Sequence, residues 1–156
     1  MDEAVIKEQM LSLLKGGNAH MPLEQAVADF PPTEYNTKPQ NVPYTFWHLL
    51  EHIRIAQWDI LEFVSNPDHV SPQWPAGYWP GVAETADQEK WEASLGQIKA
   101  GMNAFKNMVI NPPFPLTAPI PHAPEHTIFR EILVVSDHNA YHIGEFAILR
   151  GVLNLW

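Results

Sequence analysis

The sequence contains no cysteine. Disulfide bonds, thiolate nucleophiles and sulfur-ligated metal sites are therefore excluded. Cationic residues are also scarce: nine Lys and Arg stand against eighteen Asp and Glu, and the formal net charge is −9. Duplex nucleic acid is bound by clustered Lys and Arg that neutralise phosphates, and anionic membrane surfaces attract the same residues. We therefore expect neither nucleic acid nor a membrane as a partner.

The sequence also has no long apolar run, and we expect no targeting segment. No apolar stretch approaches the roughly 20 residues that cross a bilayer. The opening MDEAVIKEQM is acidic, with no basic region followed by an apolar one. The chain has 156 residues, 46% of them hydrophobic and 17% charged, which is about one domain's worth. We expect a single domain over residues 1–156, in the cytoplasm.

The chain is rich in proline, with 15 residues, and the prolines separate segments of helical periodicity. Apolar residues that recur every three or four positions predict four main helices. These helices cover residues 3–14, 43–64, 84–110 and 128–153, and a short helix is predicted over residues 22–30. No segment shows the alternation of apolar and polar residues that is typical of a β-strand. The pattern predicts an all-α four-helix bundle with an extra short helix and proline-rich connectors.

Some of the eight histidines are placed to converge inside such a bundle. His138 and His142 are four residues apart on the last helix, so they share its inward face. His52 borders the apolar stripe of the second main helix, whereas His48 lies further out and is expected at the surface or rim. Crowded imidazoles repel one another when protonated, and a divalent cation favours their neutral form. The pattern favours a metal site, although a metal-free arrangement of hydrogen-bonded histidines stays open.

Two short segments of the sequence resemble a known family. YTFWHLLEHI, residues 44–53, resembles the first metal-ligand helix of DinB-like proteins (the YfiT/DinB superfamily), and DHNAYHIGE, residues 137–145, resembles the element that closes their metal site. Carried over residue by residue, the family's metal ligands are His52, His138 and His142. The sequence departs from the family pattern at Glu145, where Gln is common, and at Tyr141, where a second His often stands.

The resemblance implies a DinB/YfiT-like bundle, often a homodimer, with a three-histidine site for zinc, nickel or a similar ion such as iron. Relatives of known activity include bacillithiol- and mycothiol-dependent transferases and isomerases. We therefore expect a metal-dependent enzyme that acts on a small molecule as a thiol-S-transferase or a hydrolase. Because the chain has no cysteine, any thiol must be a co-substrate of low molecular weight. The alternative is a non-catalytic, stress-associated protein in which the metal ties two helices together.

Further residues could contribute to such a site. Glu145 follows His142 by one helical turn, so it is a candidate catalytic residue: a fourth ligand, a general base or an acceptor that orients a histidine ring. A solvated carboxylate at the rim is the competing interpretation. The connector before the third main helix contains three aromatic residues, Trp74, Tyr78 and Trp79. We expect them either to form an aromatic lid over the metal or to pack on the end of the bundle.

The remaining polar candidates are expected to have structural roles. Asp59 follows His52 by two helical turns and could orient that ring or a partner of it, but a surface carboxylate is the favoured prediction. His20 is predicted to stabilise a loop. An ion pair with an arginine of another helix would account for Glu131. His122 and His126 lie in a proline-rich connector without helical pattern, so a second metal site there is not expected.

Overall fold

The structure, a computed structural model, describes residues 2–156 and is a bundle of helices. The α-helices are α1 (Glu3–Lys15), α2 (Leu23–Val27), α3 (Phe46–Ser65), α4 (Gln88–Ile110) and α5 (Ile128–Val152). Helix α3 packs against α4 and α5, and α1 packs against the same two helices. The predicted four-helix bundle and its extra short helix are confirmed. Within residues 2–156, no helix is both long enough and apolar enough to cross a bilayer.

Side-chain caps explain where the long helices begin. Asp2, Thr45, Asp87 and Thr127 each precede a long helix and accept a hydrogen bond from a backbone N–H of its first turn. Helix α1 ends at Gly16, whose φ of 70° is a conformation that other residues rarely adopt. Helices α3 and α4 therefore start a few residues after the predicted positions 43 and 84, because the cap and not the apolar pattern sets the boundary.

The expectation of no strand is wrong for the connector before α5. Strand β1 (Pro119–Ile120) pairs antiparallel with strand β2 (Ala123–Thr127). The side chain of Ile120 is fully buried, so this small hairpin closes one end of the core. A strand of two residues is too short to show alternation, and its prolines argue against a strand in the sequence.

Two apolar clusters fill the bundle, one toward each end. The first joins the N-terminal halves of α3 and α4 to the C-terminal half of α5. It is built around an aromatic group in which Tyr35 stacks on Trp91 at 4.1 Å between ring centroids, with Phe30 stacked beside them. The second cluster joins α1 to the opposite halves of the same helices. Helices α3 and α5 are therefore packed together on both sides of the middle of the bundle.

A buried polar bridge crosses the middle of the bundle. The side chain of Gln57 on α3 is 1% exposed. Its Nε2 donates to the carbonyl oxygen of Ile98 on α4 at 2.6 Å, and its Oε1 accepts from Asn139 Nδ2 on α5 at 3.1 Å. The bridge fits because Gly101 on α4 has no side chain: a Cβ there would collide with Gln57 Nε2. One glutamine thus ties three helices together.

This bridge predicts opposite effects for two glycine substitutions on α4. Gly101→Ala should destabilise the protein by about 1–3 kcal/mol, because the displaced amide of Gln57 loses buried hydrogen bonds. Gly96→Ala should stabilise it by up to about 1 kcal/mol, because the helix gains propensity and a Cβ at Gly96 meets no atom within 4 Å. Urea unfolding of the two variants beside the parent measures both changes. A stabilising Gly101→Ala would contradict the described role of the bridge.

Candidate metal site

Three imidazoles meet between α3 and α5. Helix α3 supplies His52, and α5 supplies His138 and His142, which lie one helical turn apart on the same face. The Nε2 atom of His52 is 3.1 Å from Nε2 of His142 and 3.1 Å from Nε2 of His138. The ring of His52 is buried, and those of His138 and His142 are half-buried. The three residues predicted as metal ligands are thus brought together.

The outer nitrogens of two rings are fixed by hydrogen-bond acceptors. His52 Nδ1 lies 2.8 Å from the carbonyl oxygen of Tyr78, and His142 Nδ1 lies 2.8 Å from Glu145 Oε2. A carbonyl or a carboxylate oxygen can only accept, so each Nδ1 carries the proton and donates it. In that tautomer Nε2 holds a free lone pair, which is the state that binds a metal.

The third ring lacks such a partner. His138 Nδ1 is buried without a hydrogen bond of good geometry, and so is Oδ1 of the adjacent Asn139. The amide of Asn139 is held by the bridge to Gln57.

The donor set fits a divalent cation. Two unprotonated Nε2 atoms at 3.1 Å direct lone pairs at each other, and only a shared proton or a cation relieves that repulsion. Two nitrogens bound to one zinc at about 2.0–2.1 Å in tetrahedral geometry lie about 3.3 Å apart, close to the separation seen here. The cluster of His52, His138 and His142 could hold a metal ion. Within residues 2–156 no second cluster of this kind occurs.

Burial and mutual proximity keep the cluster neutral. Burial, followed by the charges of the neighbouring histidines, lowers the pKa of His142 to about 3. The same two causes lower the pKa of His138 to about 4, with Asn139 and Asp137 acting in the opposite direction. Burial also lowers the pKa of His52, against the effect of its hydrogen bond to Tyr78. Near neutral pH all three rings are free of the proton that would compete with a metal.

Glu145 lies beside the site and touches the outer face of His142. Its Oε2 bonds to Nδ1, the nitrogen that points away from the cluster, and burial raises the pKa of its carboxyl group. The geometry matches the orienting acceptor among the roles predicted for Glu145. A solvated rim carboxylate does not describe it, since its side chain is only 25% exposed.

The aromatic connector covers one side of the cluster. The Trp79 ring stacks on His52, with parallel rings and centroids 4.0 Å apart, and meets His142 edge-on. Tyr78 supplies the backbone carbonyl that holds His52. Trp74 is 73% exposed and contacts Tyr78 from outside. Of the three aromatics proposed as a lid, Trp79 and Tyr78 lie against the site and Trp74 does not.

Asp59 is buried, so its prediction as a surface carboxylate is wrong. Its Oδ2 accepts from the Tyr78 hydroxyl at 2.6 Å, and its Oδ1 accepts from His69 Nε2 at 2.7 Å. Burial and Asp59 together raise the pKa of Tyr78 to about 12, so the phenol stays protonated as the donor. Asp59 lies two turns after His52 on α3, and that spacing is the sequence signal for its role. It anchors the segment whose carbonyl orients His52.

His48 is also buried, not at the surface or rim. Its Nδ1 accepts from the backbone N–H of Thr45 at 3.3 Å, which completes the cap of α3. Its Nε2 then donates to the carbonyl oxygen of Glu84 at 3.1 Å. Both ring nitrogens are therefore used, and His48 ties the start of α3 to the connector before α4.

The other polar candidates lie outside the cluster. His20 bonds to the carbonyl oxygen of Met21, which fits its expected role in a loop. Glu131 is buried and pairs with an arginine, but this is Arg130 of the same helix and not a residue of another helix, with His126 as a second partner. These contacts account for both residues without a metal.

The lowered pKa values predict that the metal-free protein loses stability in mild acid. Unfolded histidines take up protons as the pH falls through about 6.5, whereas folded His138 and His142 stay neutral down to about pH 4 and about pH 3. The unfolded state binds more protons within this window. The free energy of unfolding is therefore greatest above about pH 6.5 and decreases as the pH falls.

Urea unfolding in EDTA, at about pH 7.5 and about pH 5, measures this loss. His142→Gln removes one histidine that takes up a proton when the parent unfolds. The variant should therefore lose less stability between the two pH values than the parent. His122→Gln removes a histidine outside the cluster and should follow the parent. Equal losses in all three proteins would contradict the proposed protonation states.

Comparison with known proteins agrees with the geometry. Neither a curated protein nor a solved structure matches this chain. The family model of the DinB superfamily matches residues 18–146, a span that contains all of α3 and the part of α5 that carries His138 and His142. A match over most of the chain shows the family to which the sequence motifs pointed. The chain belongs to the DinB superfamily.

Proposed function

We propose that this protein is a metal-dependent enzyme that acts on a small molecule. His52, His138 and His142 would hold one divalent ion, zinc or nickel first and iron as a further possibility. The observation that supports this is the position of His52 Nε2, which lies 3.1 Å from Nε2 of both His138 and His142. The Nδ1 atoms of His52 and His142 bond to acceptors outside the cluster. Three protein ligands leave a coordination position open, as in catalytic metal sites and unlike closed structural ones.

A divalent ion in this site supplies Lewis acidity, which lowers the pKa of a thiol or water that binds beside it. The residues of the chain do the positioning. The Tyr78 carbonyl and the Glu145 carboxylate keep protons on Nδ1 of His52 and His142, so that Nε2 of both rings faces the site. Trp79 covers the His52 ring and excludes water from that side.

Thiol transfer and hydrolysis are the two reactions that this arrangement suits. The chain has no cysteine, so a transferase of this kind would take its thiol from a small co-substrate. Substrate would approach past the half-buried His138 and His142, since the connector covers His52. A homodimer in the cytoplasm is part of the same proposal, by the resemblance to DinB-like proteins.

Metal content tests the ligand assignment. Tag-free protein purified without chelators should contain close to one equivalent of zinc or nickel per chain by elemental analysis, and His52→Ala should lose it. His122→Ala is the matched control, because it removes an imidazole outside the cluster and should keep the metal. A parent protein that stays metal-free after incubation with zinc or nickel would contradict the proposal.

The role of Glu145 is tested by two substitutions. Glu145→Ala removes the acceptor of the His142 Nδ1 proton and should weaken metal binding about 10- to 100-fold. Glu145→Gln keeps an acceptor oxygen but loses the charge, so its metal affinity should stay within a few-fold of the parent. Competition titration with a chromogenic chelator measures both affinities. If Glu145→Gln binds metal as weakly as Glu145→Ala, the carboxylate charge matters more than the hydrogen bond, and the orienting role is wrong.

Catalysis is tested with the metal-loaded protein and two probe reactions. Transfer of a small thiol to 1-chloro-2,4-dinitrobenzene reports thiol transfer, and cleavage of 4-nitrophenyl acetate reports hydrolysis. Either reaction should depend on the metal and should disappear in His52→Ala. If a cobalt-loaded sample shows no spectral change with thiol or substrate, the non-catalytic alternative is favoured, in which the ion only ties α3 to α5.

A further inference from the structure

A cavity of about 420 Å³ lies between α1, α2, α4 and α5, on a different face of α5 from the metal site. Its volume is within the range of small-molecule sites, about 300–1,000 Å³. Apolar side chains from all four helices form most of the wall, among them Leu14, Leu23, Leu95, Met102 and Ile143. None of the three site histidines lines it, so the cavity is separate from the metal centre.

The mouth of the cavity carries positive charge in an acidic protein. Lys15, Lys99 and Lys106 line it, which is three of the chain's nine basic residues, against Glu24 and Glu92 from eighteen acidic ones. Within residues 2–156 none of these three lysines forms an ion pair; the pairs involve other cations. These five side chains carry a net charge of +1 in a protein whose net charge is −9, so the mouth is a more favourable place for an anion than the protein surface as a whole.

The buried polar side chains of the cavity are mostly occupied by partners within the protein. Ser136 and Asn139 are its buried polar side chains. The Ser136 hydroxyl donates to the carbonyl oxygen of Ile132, and the Asn139 amide donates to Gln57. Asn139 Oδ1, an acceptor, has no partner. Apart from the second N–H of Asn139 Nδ2, these two side chains offer no free donor. A charged group would lose most of its hydration there, so the charge of a ligand is better placed among the lysines.

We propose that this cavity binds a small amphiphile with an apolar body and one carboxylate head. The apolar body would lie between Leu14, Leu95 and Ile143, and the carboxylate would face Lys99 and Lys106, which project from α4 two helical turns apart. None of the three site histidines lines this cavity, so binding there needs no metal.

Calorimetric titration of the metal-free protein in EDTA with octanoate tests the proposal, since no ion is present to bind the carboxylate. One octanoate should bind per protein chain. The alcohol 1-octanol has the same chain length but no charge, so it should bind about five-fold more weakly than octanoate. The octanoate affinity should fall with added salt. No binding of octanoate, or equal binding of octanol, would overturn the proposal.

Two pairs of variants locate the ligand. Gly96→Leu places a side chain at the cavity wall where a Cβ meets no atom, and it should reduce octanoate affinity about ten-fold or more by filling the space. Ala100→Leu, on the exposed side of the same helix, should leave it unchanged. The double variant Lys99→Gln/Lys106→Gln should bind octanoate about five-fold more weakly than the parent and should bind octanol equally well. The control Lys38→Gln/Lys90→Gln changes the net charge by the same amount and should keep the octanoate affinity of the parent. Unchanged affinity in Gly96→Leu would show that octanoate binds elsewhere.

Discussion

The approach of three imidazole nitrogens at the centre of the bundle is the constraint on which the rest of this structure depends. Lone pairs that face one another in a buried place are unfavourable unless a cation lies between them. Each ring must therefore be held with its proton on the outer nitrogen. The contacts around His52 and His142 do this, with a backbone carbonyl on one side and a carboxylate on the other. Much of the polar structure nearby supports those two acceptors.

Further hydrogen bonds hold the residues that lie next to the histidine rings. Asp59 binds the Tyr78 hydroxyl, and this fixes the segment whose carbonyl receives the His52 proton. Gln57, also on α3, holds Asn139 of α5 beside His138 through a bridge that depends on the absence of a side chain at Gly101. Hydrogen bonds to the partners of the histidine rings help to keep the rings oriented for metal binding. They also explain why a helix as regular as α3 carries so many buried polar side chains.

The helices and the three histidines could be predicted from the sequence because both follow local periodicity. Apolar spacing placed the four long helices, and helical geometry put His138 and His142 on one face, with His52 next to an apolar stripe. The buried positions of His48 and Asp59 could not be predicted in this way. Both are covered by the connector between α3 and α4, where Glu84 and Tyr78 supply their partners. The path of a proline-rich connector is set by tertiary contacts, which leave no periodic signal.

The short hairpin shows the same limit. Its two strands are stabilised by pairing and by the burial of Ile120 under the bundle, neither of which local sequence reveals. The amphipathic cavity is likewise invisible in the sequence, because its walls come from four helices and its lysines from two of them. The places of periodic residues could thus be predicted. The burial and contacts of residues whose partners lie in a connector or on another helix could not be predicted.

X-ray absorption spectroscopy of the zinc-loaded protein tests the central claim most directly, because it counts the imidazoles around the ion. The structure predicts three imidazole nitrogens at about 2.0–2.1 Å, with one fewer in His52→Ala if any zinc is retained. A first shell made of carboxylate or water oxygens, with one imidazole or none, would contradict the account of the site.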